Sequence, residues 1–115
     1  MGGLLVKILC CGGRSYWDRE KVNTTLAKLK PTIIISGMAS GADWLGYIYA
    51  QEHNIPVLKF PPNWALYGKS AGFIRNIQML EEAKPELVVA FPGGAGTAHT
   101  VKEAKLRKIP VMEVS

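Results

Sequence analysis

Cysteine is scarce in this chain of 115 residues: there are two, Cys10 and Cys11, and they are adjacent. Neighbours on a strand point to opposite faces, and bridging them would need a strained ring. Free, mostly buried thiols and a reducing, cytoplasmic setting are expected. Histidine is equally rare, with only His53 and His99. Neither has an acid or serine partner at a recognisable spacing, so a hydrolytic triad is unsupported. No Cys or His cluster has metal-ligand spacing, so neither a metal nor a resident cofactor is expected. No apolar run is long enough to cross a bilayer, and no membrane partner is expected. The opening Met1-Gly2-Gly3-Leu4-Leu5-Val6 lacks the charged start and long apolar run of a signal peptide. Val6 breaks the myristoylation pattern.

Apolar residues are plentiful. They make up 48% of the chain, enough for a core in one domain spanning residues 1–115. Charged residues are 20%, which argues against extensive disorder. The net charge of +5 suits an anionic partner, nucleic acid among them, without requiring one.

Five short runs rich in Val, Ile and Leu read as strands: Leu4 to Cys10, Thr32 to Ser36, Pro56 to Phe60, Leu87 to Phe91 and Pro110 to Val114. Helical patterns fill the gaps. Asp18 caps the first, with Val22, Leu26 and Leu29 inward. Gly41 to His53 is the second, with Ala42, Leu45 and Tyr49 aligned. Ser70 or Ala71 to Ala83 is the third, with Ile74, Ile77 and Leu80 aligned. Gly96 to Lys108 is the fourth, with Ala98, Val101 and Ala104 inward. Alternating strands and helices predict an α/β, Rossmann-like, three-layer domain with a five-stranded parallel sheet, ordered 3-2-1-4-5. Ligands of such sheets sit beyond the carboxyl ends of the strands, where strand order reverses.

That rule selects four loops. Gly12-Gly13-Arg14 follows the first strand, letting backbone approach a ligand and an Arg reach a phosphate. Ser36-Gly37-Met38-Ala39-Ser40-Gly41 leads into a helix whose N-terminus favours an anion. Asp43, in its first turn, either answers the helix dipole or hydrogen-bonds a ribose hydroxyl or base amino group. The long third loop offers Trp64 and Tyr67 for stacking on a base and Lys69 for charge, followed on its helix by Arg75 and Asn76. Pro92-Gly93-Gly94-Ala95-Gly96-Thr97 opens the last helix as a phosphate cradle. Gly68-Lys69-Ser70 is not a P-loop, because Asn63 stands where the first glycine belongs. Gly94-x-Gly96 is not a dinucleotide fingerprint, because Ala98 and His99 fall where its third glycine would.

Read in order, the series Gly12-Gly13-Arg14-x-Tyr16-x-Asp18, Gly37-x-Ala39-x-Gly41-Ala42-Asp43, Trp64-x-x-Tyr67-Gly68-Lys69-x-Ala71-Gly72-x-x-Arg75-Asn76 and Phe91-Pro92-Gly93-Gly94-x-Gly96-Thr97 resembles the YspA/cpYpsA-related branch of the SLOG superfamily. The resemblance covers nearly the whole chain. It implies a Rossmann-like sheet and a nucleotide or nucleotide-derived ligand. The superfamily includes LOG phosphoribohydrolases, which release a base from a nucleoside monophosphate, and Smf/DprA proteins, which bind single-stranded DNA. Other SLOG domains are regarded as sensors of nucleotide signals in bacterial and phage conflict systems. Arg75 resembles the LOG arginine in placement, but the LOG glutamate position is Thr100. Thr can neither stabilise an oxocarbenium-like centre nor activate water as a carboxylate does. Glu103 lies one turn on, displaced by about 4.5 Å of helix rise.

The leading expectation is therefore a binding module, a sensor or sequestering domain for a nucleotide-like signal. The alternative is N-glycosidic cleavage, with Arg75 and one of Glu103, Asp43 or Asp18 as catalytic groups. A third reading is single-stranded nucleic-acid binding, weakened because Lys102, Lys105, Arg107 and Lys108 cluster on the last helix away from the glycine loops. A homo-oligomer is expected, with Trp44, Tyr47 and Tyr49 hinting at an interface on the second helix.

Overall fold

The computed structural model describes residues 5–115. The chain runs β1 (Lys7–Cys11), α1 (Arg19–Leu29), β2 (Ile33–Ser36), α2 (Ala42–Glu52), β3 (Val57–Lys59), α3 (Trp64–Tyr67), α4 (Ala71–Gln78), β4 (Leu87–Ala90), α5 (Ala95–Leu106) and β5 (Val111–Glu113). All neighbouring strands are parallel, in the order β3-β2-β1-β4-β5. This is the expected α/β, Rossmann-like sheet. The order reverses between β1 and β4, so the crevice opens where Cys11 pairs with Ala90.

Alternation along the strands builds two cores. Ile8, Cys10, Ile34 and Val89 face α1 and α2, meeting Val22, Leu26, Leu45 and Ala50. Leu9, Cys11, Ile35, Val88 and Ala90 face the other way, meeting Met79, Leu80, Ala83 and Ala104. The adjacent cysteines thus lie on opposite sides of the sheet, both buried and unbridged. Asp18 caps α1 as expected, its Oδ1 accepting from the Lys21 N–H at 3.0 Å.

Several boundaries differ from the sequence pattern. The first strand begins at Lys7; Leu5 is exposed, and Leu4 lies outside the described residues. The long third loop folds into α3 and a 3₁₀ turn at Gly68–Ser70. Asn63 starts α3 by accepting from the Leu66 N–H at 3.0 Å, an Asx cap that apolar periodicity does not reveal. The third expected helix ends in a π-helical turn, Met79–Ala83. Its buried line passes through Ala71, Arg75, Asn76, Met79 and Leu80, leaving Ile74 and Ile77 only half-buried. On α5 the buried line is Thr100 and Ala104, and Ala98 is exposed. On α2, Tyr49 is a core residue stacked on His53, leaving Trp44 and Tyr47 as the outward aromatic pair.

Leu26 sits fully buried against the sheet. Leu26→Ala should lower unfolding free energy by about 2–5 kcal/mol, read by urea denaturation. A change under about 1 kcal/mol would contradict the packing described.

Candidate functional site

A cleft of about 430 Å³ lies at the switch point, over the carboxyl ends of β1 and β4. Its floor is Cys11, Gly12 and Gly13. The Gly13 N–H donates to the Pro92 carbonyl at 2.9 Å, lacing the first loop to the last. A Cβ on Gly12 would stand 2.6 Å from that of Ala42, so the residue must be glycine for α2 to pack there.

One wall comes from the loops after β1 and β2. Arg14 reaches over the cleft, its guanidinium carbon 5.7 Å from the centre of the Trp64 ring. Gly41 has φ +79°, and its approach to the Gly13 and Arg14 backbone leaves no room for a side chain. The Ala42 N–H donates to the Gly13 carbonyl at 3.2 Å, and the Ser40 hydroxyl to the Arg14 carbonyl. The start of α2 is thus stoppered by the protein's own carbonyls. Ser36 is turned inward, its hydroxyl donating to the Asp43 carbonyl and accepting from the Met38 N–H. Met38 adopts φ 63°, a left-handed conformation uncommon for such a side chain, and that serine bond holds the turn. Ser36, Gly37 and Gly41 therefore shape the wall without lining the cleft.

Asp43 does line it, as the only carboxylate among the described lining residues. Its Oδ2 accepts from the Ala39 N–H at 3.4 Å. Burial pushes its pKa up to about 6, against the pull of Arg75, the Ala39 N–H and Arg14. A side chain on Gly37 would strike both the Arg75 Nη1 and the Asp43 Oδ2, so the two charges approach each other past a bare Cα.

The opposite wall is α3, the 3₁₀ turn and α4, with Trp64, Lys69, Phe73 and Arg75 on the cleft. Tyr67 is exposed and does not line it. Arg75 is 7% exposed. Its Nη1 donates to the Gly37 carbonyl at 2.5 Å and to that of Phe60 at 3.4 Å, and its Nε donates to the Asn76 Oδ1 at 3.0 Å. Asn76 passes the tie onward, its Nδ2 donating to the Gly96 carbonyl at 3.2 Å. One Arg-Asn pair thus braces the loops after β2 and β3 and the start of α5. Burial lowers the Arg75 pKa from its usual value, and Asp43 offsets part of that fall.

The end wall is the first turn of α5, with Gly94, Ala95, Gly96 and Thr97 on the cleft. No side chain caps this helix. Side chains at Gly94 or Gly96 would meet nothing within 4 Å, whereas one at Gly93 would collide with Thr97. Gly93 therefore serves packing, and Pro92 serves through its carbonyl; neither lines the cleft. Thr100 is buried in the same wall, its hydroxyl donating to the Gly96 carbonyl at 3.2 Å. Glu103 points elsewhere, accepting from the Arg107 Nη1 at 2.7 Å, and Arg107 holds its pKa low. It does not line the cleft, and Asp18 is spent as a helix cap.

Sequence reasoning passed over Phe73, which lines the cleft and packs on His99 with ring centres 4.6 Å apart. Its place three residues before Asn76, within reach on the same helix, was the available signal. No cluster of metal-ligating side chains occurs among the described residues. No described helix is long and apolar enough to cross a membrane.

A parallel sheet with this order, and glycine loops converging at its reversal point, define a Rossmann-like α/β protein of the switch-point type. Residues 6–67 match the model of the YspA, cpYpsA-related SLOG family, and the chain belongs to that family. It is also similar to the Gene 61 protein of Mycobacterium phage D29, 32% identical over 118 residues, spanning 92% of this chain and 94% of that protein.

Asp43 gives a signed pH test. The folded protein holds its proton more tightly than the unfolded chain, so its contribution favours folding below about pH 4 and is lost as pH rises through about 6. Asp43→Asn should therefore stabilise the fold at pH 8 by about 2–3 kcal/mol and change it little at pH 4. Equal effects at both pH values in urea melts would refute the burial of an ionised carboxylate here.

Proposed function

We propose that the cleft binds a nucleotide or nucleotide-derived small molecule and serves as a sensor or sequestering domain. The observation that carries this reading is the first turn of α5. Its N-terminus faces the cleft uncapped, and the lining positions Gly94 and Gly96 leave open room for a phosphate to reach the backbone. Three cations, Arg14, Lys69 and Arg75, line the cleft against one carboxylate, which favours an anion. Trp64 offers a flat face for a base, and Asp43 an acceptor for a ribose hydroxyl or base amino group. Membership of the SLOG family supports a nucleotide-related role, and the similarity to a phage protein fits a phage or bacterial setting.

A second reading, cleavage of an N-glycosidic bond, is favoured by one observation. Asp43 is a cleft carboxylate whose pKa, about 6, suits a general acid or base near neutral pH. Thr100 weighs against a LOG-type reaction, because its hydroxyl is turned back on its own helix. Single-stranded nucleic-acid binding has less support, since Lys102, Lys105 and Lys108 do not line the cleft.

Gly96→Leu tests the binding reading. The side chain enters open space from a helical position, so thermal stability should hold or rise, while affinity for a nucleoside monophosphate panel falls at least about tenfold by calorimetry. Unchanged affinity would overturn the cradle. Free base released from nucleoside monophosphates, and lost in Asp43→Asn, would establish the second reading instead.

A further inference from the structure

We propose that this chain forms a two-fold dimer through the outward face of α4, next to the mouth of each cleft. The helix carries apolar residues on its outward side as well as its buried one. Its buried line carries Arg75 and Asn76, while Phe73, Ile74 and Ile77 lie on the other side. A surface helix ordinarily does the reverse. Phe73 is 46% exposed, and Ile74 and Ile77 are half-buried. The apolar surface extends to Leu58 of β3, on the sheet face that α4 covers.

Charge and area both point to a second copy as the occupant. A net charge of +5 makes two copies repel, so self-association needs a face without cations. Between Lys69 and Glu81 the only charged residue is Arg75, and it is buried. The face of α5 carries Lys102 and Lys105, with Lys108 just past its end, and is unsuited to the task. Leu58, Phe73, Ile74 and Ile77 expose roughly 300 Å² of apolar surface, the size of the often functional largest patch on a monomer. Two such faces supply about 600 Å², which with an ordinary polar rim makes about 900 Å², the size of a weak, reversible interface. In an isologous contact α4 lies against its own mate, so an uncharged stripe is self-complementary. Phe73 belongs to both the stripe and the cleft lining, so the partner's surface adjoins the site. Trp44 and Tyr47 on α2 pack on each other with ring centres 5.0 Å apart and are not part of this face.

Sedimentation velocity on the full chain without ligand tests the dimer independently of the nucleotide reading. The protein should be dimeric at about 100 µM, and Ile77→Glu should weaken the dimer at least about tenfold while circular dichroism shows a folded chain. Trp44→Glu should stay dimeric. A monomeric wild type, a dimer indifferent to Ile77→Glu, or one dissociated by Trp44→Glu overturns the proposal. Should Ile77→Glu unfold, Gln78→Cys with a short bis-maleimide decides. A covalent dimer supports facing α4 helices, and its absence under conditions that label the introduced thiol overturns them.

Discussion

The buried guanidinium of Arg75 holds the ligand-facing edge of this molecule together. Three loops leave the strands in different directions, and each would otherwise need its own bracing. Arg75 donates to the loops after β2 and β3, and its neighbour Asn76 reaches α5. A charge so placed is costly to desolvate, and its bonds to carbonyls and an amide oxygen offset that cost. Asp43 stands close by without closing an ion pair, so part of the charge on both groups stays directed at the cleft. The arrangement leaves the cleft with cationic groups and one buried carboxylate.

The sheet was legible in the sequence because buried parallel strands are short, apolar and regularly spaced, and Val, Ile and Leu mark them. The loop after β4 was legible because glycines crowd into it just before a helix. Most of what escaped was governed by tertiary contacts. Periodicity assigned Ile74 and Ile77 to the core side of α4, but the cleft and the bracing of the loops claim Arg75 and Asn76 for that side. The start of α2 reads as an anion site in sequence, yet the Gly13 carbonyl fills that role. Glu103 reads as a substitute acid, but Arg107, four residues along the same helix, draws it away. In the first two cases a choice between two faces or a partner distant in sequence decided the outcome; for Glu103 a neighbour four residues on did so.

The contrast between Thr100 and Asp43 separates binding from chemistry within one cleft. Thr100 satisfies its hydroxyl on its own helix and offers no charge. Asp43 is buried and poised near neutral pH, a costly state that structure alone does not require. On the reading proposed above, that cost belongs with recognition or with proton transfer.

The two adjacent cysteines carry a consequence of a different kind. They occupy neighbouring positions on the central strand, yet one thiol belongs to the layer of α1 and α2 and the other to the layer of α4 and α5. Cys10 is sealed from solvent, whereas Cys11 lies at the cleft floor with a small part of its surface exposed. The chain therefore contains a pair of built-in probes one residue apart: a thiol reagent meets Cys11 from the cleft, while its reaction with Cys10 records how often the layer of α1 and α2 opens.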